Sequence, residues 1–279
     1  MLRTMITATN TMSQLQSQMD VIGNNLSNTS TPGYKARDVK FQELLYQQFN
    51  NDKKDAAPRQ TPVGIRYGAG AALSQVQMNW KVGTLQPTDR GLDFAFTAPK
   101  QYFNVLMPGE GGSQQTVYTR QGAFYVTPVE NGQLMLVNGD GYPVADANGD
   151  AIRFGENASN YGHGDGGTLN VSYADGTTEQ IQLGVTVVER PQLMQHLSDT
   201  YMTLPVNMAD LGVAPEDVLT EMVGADRADI GMQNGALEAS NVDMTKEMTE
   251  LINTQRSYQF NARAVTLADQ MLGLINGIR

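Results

Sequence analysis

The residues that most often carry enzyme chemistry are scarce in this sequence of 279 residues. It contains no Cys, which excludes disulfides, zinc–thiolate sites and cysteine nucleophiles. Its two histidines are His163, in a glycine-rich stretch, and His196, and neither has a partner at the spacing of a metal site. We therefore predict no histidine-based or cysteine-based catalytic or metal centre.

The acidic residues offer two weaker possibilities. The segment Asp146–Asp150 resembles part of a calcium loop, but the twelve-position ligand pattern with a terminal Glu is missing, so hairpin turns are predicted there. Scattered Asp and Glu side chains could form the carboxylate pair of a glycosidase, although the sequence singles out no two of them. Walker, dinucleotide and nucleophile-elbow motifs are missing as well. The sequence thus predicts no catalytic residue, no metal and no cofactor.

The charge of the chain is unevenly distributed. The formal net charge is −10, and both chain ends are close to neutral, so the acidic excess lies in residues 51–234 together with most of the 28 glycines. An acidic chain has no general affinity for nucleic acid or for anionic membranes. No apolar run is long enough to span a membrane, and Met1–Arg3 lacks the basic-then-apolar pattern of a cleaved signal peptide.

Apolar residues near the N-terminus recur at alternating spacings of three and four. This heptad pattern predicts a helix over residues 2–28, about 40 Å long, that ends before Pro32. The pattern is formed by Met5, Ala8, Met12, Leu15, Met19, Ile22 and Leu26.

The C-terminal end has a similar repeat of seven. It predicts a helix over residues 243–276, about 50 Å long, with Ser240, Asn241 and Asp243 as candidate capping residues. The repeat is formed by Met244, Leu251, Tyr258, Val265 and Leu272.

Two interpretations of these helices remain open. They could pack on a globular core, or they could form a coiled coil that joins the two chain ends. Ordering about 60 residues costs roughly 1–2 kcal/mol each, whereas some 12 to 15 buried apolar side chains return about 1.5–3 kcal/mol each. A bare helical hairpin is therefore marginal, and identical copies of the chain are the simplest further neighbours.

The whole pattern predicts a mixed α and β protein with long terminal helices and a central all-β domain. Residues 1–34 and 238–279 would form a terminal helical coiled-coil domain, and residues 35–90 an extended connector. Short alternating runs separated by Asn-Gly and Asp-Gly turns indicate a β-rich outer domain at residues 91–237, with an irregular C-terminal part. The Gly-, Asn- and Ser-rich residues 155–167 are expected to be a mobile loop.

Three segments resemble signatures of bacterial flagellar rod and hook proteins. Asn24–Lys35 resembles the N-terminal signature, which runs N-N-L-A-N and ends in G-[FY]-K. Gly235–Asp243, followed by Thr254–Tyr258, resembles the paired C-terminal signature, and Thr119–Phe124 resembles the R-x-G-x-F β-segment. The length of the chain and the segment Leu44–Gly70 are most similar to the distal rod proteins.

This resemblance implies a structural subunit of the flagellar basal body and no enzyme. Family members assemble into a helical tube that transmits motor torque to the hook and filament, with the terminal helices packed as an inner coiled-coil layer. The implied partners are identical subunits, adjacent rod and hook proteins, and the flagellar type III apparatus that exports the chain without a cleaved signal. Phe41 and Leu45 belong to a candidate export motif. The implied location is the extracytoplasmic part of the basal body.

Assembly contacts are expected along both helices. The apolar candidates lie on the two heptad patterns, and the polar candidates are side-chain amides that can satisfy buried backbone groups. The candidates are Met5, Met12, Leu15, Met19, Ile22, Leu26, Leu251, Tyr258, Val265 and Leu272, with the amides of Asn24, Asn25, Asn28, Asn241 and Gln255.

Two rival functions stay open. A secreted β-rich carbohydrate-binding or hydrolytic domain with helical ends would keep its ligand after removal of the termini. A cap or hook-scaffolding protein would share export and assembly but would not be retained in the shaft.

Overall fold

The computed structural model describes residues 2–43, 47–49, 65–67, 71–109, 114–129, 132–205, 208 and 212–277. The chain divides into two compact units. The helical unit comprises Met1–Ser27, Arg37–Gln77 and Asp243–Arg279, and the β-rich unit comprises Asn28–Ala36 and Met78–Val242. The mixed fold with terminal helices around a β-rich middle agrees with the sequence prediction.

Two long helices dominate the helical unit. Helix α1 spans Leu2–Ser27 and helix α2 spans Met244–Gly277, each within one residue of the predicted ends. Ala8, Leu15 and Ile22 are buried at intervals of seven, as the heptad pattern requires. At the start of α2 the Oδ1 atom of Asp243 accepts hydrogen bonds from the backbone N–H groups of Thr245 and Lys246, at 3.0 and 3.1 Å, so Asp243 is the N-cap.

Short strands complete the helical unit. Strands β1 (Arg37–Glu43) and β4 (Ala71–Met78) form one two-stranded sheet. Strands β2 (Gln47–Phe49) and β3 (Ile65–Tyr67) pair antiparallel in another. All four strands lie within residues 35–90, which the sequence predicts to be an extended connector. No helix among the described residues is both long and apolar enough to cross a membrane.

The described residues of the β-rich unit form sixteen strands in several sheets. A six-stranded sheet has the order β16-β17-β8-β7-β15-β18, two three-stranded sheets have the orders β11-β10-β9 and β12-β13-β14, and β19-β6 and β20-β5 form pairs. The strands are β5 (Leu85–Pro87), β6 (Phe94–Phe96), β7 (Gln101–Pro108), β8 (Gln114–Thr119), β9 (Phe124–Val129), β10 (Gln133–Asn138), β11 (Arg153–Gly155), β12 (Ala158–Gly164), β13 (Thr168–Tyr173), β14 (Thr178–Gln182), β15 (Val185–Val188), β16 (Gln195–His196), β17 (Tyr201–Thr203), β18 (Leu219–Glu221), β19 (Met232–Asn234) and β20 (Ala236–Glu238).

Side chains from these sheets pack into one buried core that is rich in aromatic residues. The rings of Phe96 and Phe103 lie 4.2 Å apart, and those of Phe103 and Phe124 lie 5.0 Å apart in an edge-to-face arrangement. Leucines, valines and further apolar side chains from β10, β13 and β15 extend the same buried cluster. This core therefore holds in place the strands of the β-rich unit, and this unit carries the buried charged residues described in the next section.

The prediction of a mobile loop at residues 155–167 is wrong. Strand β12 pairs antiparallel with β13 across Asn160–Gly164, and the ring of Tyr161 packs on Phe154 at 5.8 Å. The small polar residues of this segment have a low intrinsic preference for strands. Pairing with β13 and the contact between Tyr161 and Phe154 nevertheless stabilise it as a strand.

Candidate assembly interface

The two helices pack against each other in antiparallel directions. The Nδ2 atom of Asn25 donates to Oε2 of Glu247 at 3.1 Å, and the hydroxyl of Thr254 donates to Oε1 of Gln18 at 3.2 Å. The two contacts lie seven residues apart on each helix, which is about 10.5 Å of helix. Because the contact residues are seven apart on both helices, and run in opposite directions, the same face of α1 packs against the same face of α2 at both contacts.

Asn25 is the polar centre of this contact and is only 1% exposed. Besides Glu247, its Nδ2 atom donates to the carbonyl of Arg37 at 2.9 Å, and its Oδ1 atom accepts the Arg37 N–H at 2.9 Å. Burial raises the pKa of Glu247, and the hydrogen bond from Asn25 opposes that change by favouring the carboxylate. A side-chain amide is needed here because it must donate and accept at once.

Replacing Asn25 by alanine is expected to destabilise the helical unit by about 2–3 kcal/mol, because three hydrogen bonds are lost and a buried carboxylate loses a donor. Urea unfolding followed by far-ultraviolet circular dichroism measures the change. Asn10 is the matched control, since it is exposed on the same helix, and its alanine variant is expected to stay within about 0.5 kcal/mol of the parent. Equal effects of the two substitutions would contradict the role assigned to Asn25.

Helix α2 also carries apolar residues on the face turned away from α1. The helical positions of this group lie roughly opposite those of Glu247 and Thr254, which contact α1. Phe260 is the extreme case, with 75% of its surface exposed. We call this group the outer stripe; its apolar members are Ile252, Phe260, Leu267, Met271 and Leu274.

The predicted assembly residues occupy several environments. Leu15, Ile22 and Asn25 are buried, whereas Gln255 is exposed. Phe41 lies in β1, and Leu45 lies outside the described residues. The remaining candidates are half-buried: Met5, Met12, Met19, Asn24, Leu26, Asn28, Asn241, Leu251, Tyr258, Val265 and Leu272.

The β-rich unit contains a buried ion cluster formed by Lys35, Arg120 and Glu238. The Nζ atom of Lys35 lies 2.5 Å from Oε1 of Glu238, and Nε of Arg120 lies 2.6 Å from Oε2. All three side chains are at most 4% exposed. Two cations thus share one carboxylate in a site without access to bulk water.

Backbone groups satisfy the rest of this cluster. Arg120 donates from Nη1 to the carbonyl of Gln101 at 3.0 Å and to that of Ala98 at 3.2 Å. Lys35 donates to the carbonyl of Lys81 at 2.7 Å, and Oε1 of Glu238 also accepts the N–H of Gly83 at 2.8 Å. Because every charge has several partners, the cluster can stay buried without an orphaned group.

Asn241 makes a second polar connection nearby. Its Oδ1 atom accepts the N–H of Ala36 at 2.7 Å, and its Nδ2 atom donates to the carbonyls of Asn79 and Lys81 at 2.9 and 3.0 Å. The segments that follow α1 and precede α2 in the sequence are thereby bound to each other and to the start of the β-rich unit.

Two glycines, each two residues from a cation of the cluster in the sequence, allow close backbone contacts. Gly33 has φ of +74°, and its N–H donates to the carbonyl of Glu238 at 2.8 Å. A Cβ atom on Gly122 would lie 1.8 Å from the carbonyl oxygen of Phe94. Neither position tolerates a side chain, which explains the glycine at each place in the motifs.

Burial lowers the pKa of Lys35 to about 8, and the neighbouring Arg120 acts in the same direction, whereas Glu238 raises it. The folded chain therefore releases this proton at lower pH than the unfolded chain does. Between pH 7 and 9.5 the parent is expected to gain about 2 kcal/mol relative to a Lys35→Met variant. Urea unfolding at both pH values measures the difference. Relative to a Lys100→Met variant, which keeps Lys35 and removes a half-exposed lysine, the parent is expected to show no gain over the same pH range. A gain of about 2 kcal/mol relative to Lys100→Met as well, or a loss relative to Lys35→Met, would refute the assignment.

Three family models match segments of the chain. They are "Flagella basal body rod protein" at residues 5–35, "Flagellar hook protein FlgE/F/G D1 domain" at residues 100–171, and "Flagellar basal body rod FlgEFG protein C-terminal" at residues 233–278. Each of these matched segments contributes one member of the ion cluster: Lys35, Arg120 and Glu238.

Full-length relatives agree with these matches. The flagellar hook-basal body complex protein FlhP of Bacillus subtilis is 46% identical over 100% of both chains. The chain belongs to the flagellar rod and hook protein family. The flagellar basal-body rod protein FlgG of Caulobacter vibrioides is 30% identical over 98% of both chains, and FlgG of Bacillus subtilis is 29% identical over 98% of this chain and 97% of that protein.

Sequence reasoning missed two features of this member of the flagellar rod and hook family. The members of the ion cluster, Lys35, Arg120 and Glu238, each lie in one of the three segments that resemble family signatures, but the sequence gives no indication that their side chains meet. The outer stripe was visible as further apolar residues on α2, for example Phe260 and Leu267, beside the predicted heptad. Within the described part of the chain, no group of three or more His, Asp or Glu side chains is placed to hold a metal ion.

Proposed function

We propose that this chain is a structural, non-enzymatic subunit of the flagellar rod or of the rod–hook region, and that it assembles with copies of itself and with adjacent axial proteins. The names of its full-length relatives, hook-basal body complex protein and basal-body rod protein, support this assignment. The observation that carries it is the outer stripe of α2, because an exposed apolar helix face requires a partner.

The size of the outer stripe favours repeated contacts over a single pair. Its five apolar side chains are 43–75% exposed, so burying their exposed parts would return about 1–2 kcal/mol each. Association of two molecules costs about 4–15 kcal/mol in lost freedom of motion. One such contact therefore gives at best a weak dimer, whereas a lattice in which each copy uses several contacts is stable. A contact between different faces of identical copies that does not close generates a helical array.

The finer features of the proposed role follow from this array. The antiparallel helix pair, with its contacts seven residues apart, would form coiled-coil layers between copies. A shaft of many such contacts would transmit motor torque to the hook and filament. The chain would reach its extracytoplasmic site through the flagellar type III export apparatus without a cleaved signal, with Phe41 and Leu45 in the export motif.

A deletion strain of the source bacterium tests the proposal. Loss of the gene is expected to abolish swimming and to leave basal bodies with a truncated axis in electron micrographs. The full-length gene should restore both, and a gene lacking the codons for residues 2–27 should restore neither. Intact basal bodies in the deletion strain would refute the proposal. Retained ligand binding by a chain without its termini would support the rival carbohydrate-binding function.

A further inference from the structure

Two charges interrupt the outer stripe of α2. Arg256 and Arg263 stand four residues before and three residues after Phe260, so all three side chains share one face of the helix. Both arginines are exposed, and neither takes part in an ion pair within the described part of the chain. A cation amid an apolar contact surface needs an acidic partner when that surface becomes buried.

Helix α1 has a complementary outward face. Residues Ile6, Ser13, Asp20 and Ser27 follow each other at intervals of seven and are all exposed, on the side away from Ala8, Leu15 and Ile22. Asp20 is the single acidic residue of α1. Its carboxylate forms no ion pair with any residue that the structure describes. The neighbouring small side chains leave room for the larger residues of the outer stripe.

We propose that the outer stripe of α2 in one copy packs on the outward face of α1 in a second copy, with Asp20 paired to Arg256. This inference rests on the proposed function. Copies in a polar shaft share one direction, so α1 of one copy and α2 of its neighbour run antiparallel, as they do within one chain.

The second apolar contact selects the register. In antiparallel helices, pairing Asp20 with Arg256 places Ile6 opposite residue 270, between Leu267 and Leu274 of the outer stripe. Pairing Asp20 with Arg263 would instead place Ile6 opposite residue 277, beyond the last apolar residue of the stripe. The Arg256 register requires a shift of four residues, or about 6 Å, from the register within one chain.

An exchange of charges between the two faces tests the pairing on the full-length protein. Asp20→Arg and Arg256→Asp are each expected to raise the protein concentration needed for assembly by about tenfold or more, since like charges then meet. The double variant Asp20→Arg/Arg256→Asp is expected to return that concentration to near the parental value. Sedimentation velocity and electron microscopy measure assembly. Glu156→Arg is the control, because it makes the same charge change in an exposed turn of the β-rich unit.

The outcomes separate this inference from the proposed function. If the parent chain stays monomeric at every accessible concentration, self-assembly itself is refuted. If the parent assembles but Asp20→Arg behaves as Glu156→Arg does, or if the double exchange fails to restore assembly, the Asp20–Arg256 pair alone is overturned. Restoration by Asp20→Arg/Arg263→Asp in its place would overturn the register. Amide exchange on each monomeric variant is expected to match the parent, since the substituted residues are exposed.

Discussion

Replacing Glu238 by alanine is expected to destabilise the β-rich unit by about 3–5 kcal/mol, the largest effect on stability that the structure predicts for one substitution. Lys35 and Arg120 would both remain buried, each without its carboxylate at 2.5 and 2.6 Å. The N–H of Gly83 would lose its acceptor as well. Urea unfolding of the purified chain, followed by fluorescence of its single Trp, measures the change.

The exposed pair of Lys100 and Glu189 provides the matched control. Its atoms lie 3.5 Å apart, and both side chains are about half exposed. Glu189→Ala is therefore expected to cost no more than about 1 kcal/mol. Lys35→Met should also cost less than Glu238→Ala, because Arg120 and Glu238 then remain as a balanced pair. Equal costs for Glu238→Ala and Glu189→Ala would show that the cluster is not sealed from water.

Local patterns were sufficient to predict the helices but not the ion cluster. The ends of α1 and α2 follow from heptad spacing, Pro32 and the Asp243 cap, all of which act within one or two turns. Lys35 and Arg120 lie 203 and 118 positions from Glu238 in the sequence. A single sequence holds no information on which distant charges share a site, because that depends on the packing of the whole β-rich unit.

Long-range packing also explains why the sequence did not predict strand β12 or the outer stripe of α2. Strand β12 pairs with β13 although its own residues favour turns, because the partner strand and the ring of Phe154 supply what its composition lacks. On α2 the sequence shows apolar residues at more helical positions than one partner can cover. Only the position of α1 shows which of them, such as Tyr258, lie half-buried and which, such as Phe260, lie exposed.

Replacing Phe260 by alanine is expected to weaken assembly strongly while leaving the monomer intact. Phe260 is 75% exposed, so its truncation removes little buried surface from the isolated chain, and the free energy of unfolding should change by less than about 0.5 kcal/mol. In the array its ring would be buried, and losing about 2–3 kcal/mol per contact corresponds to a 30-fold to 150-fold rise in the concentration needed for assembly.

Thr266 is the control for this substitution, because it is exposed on the same helix but is rotated by about 120° from Phe260. Thr266→Ala should assemble as the parent does, and in the deletion strain it should restore swimming where Phe260→Ala does not. If Phe260→Ala assembled and restored swimming normally, the outer stripe would not be the surface that joins copies. A loss of monomer stability would instead show that Phe260 acts within the chain, since a residue that serves only the contact between copies changes the polymer and leaves the monomer unchanged.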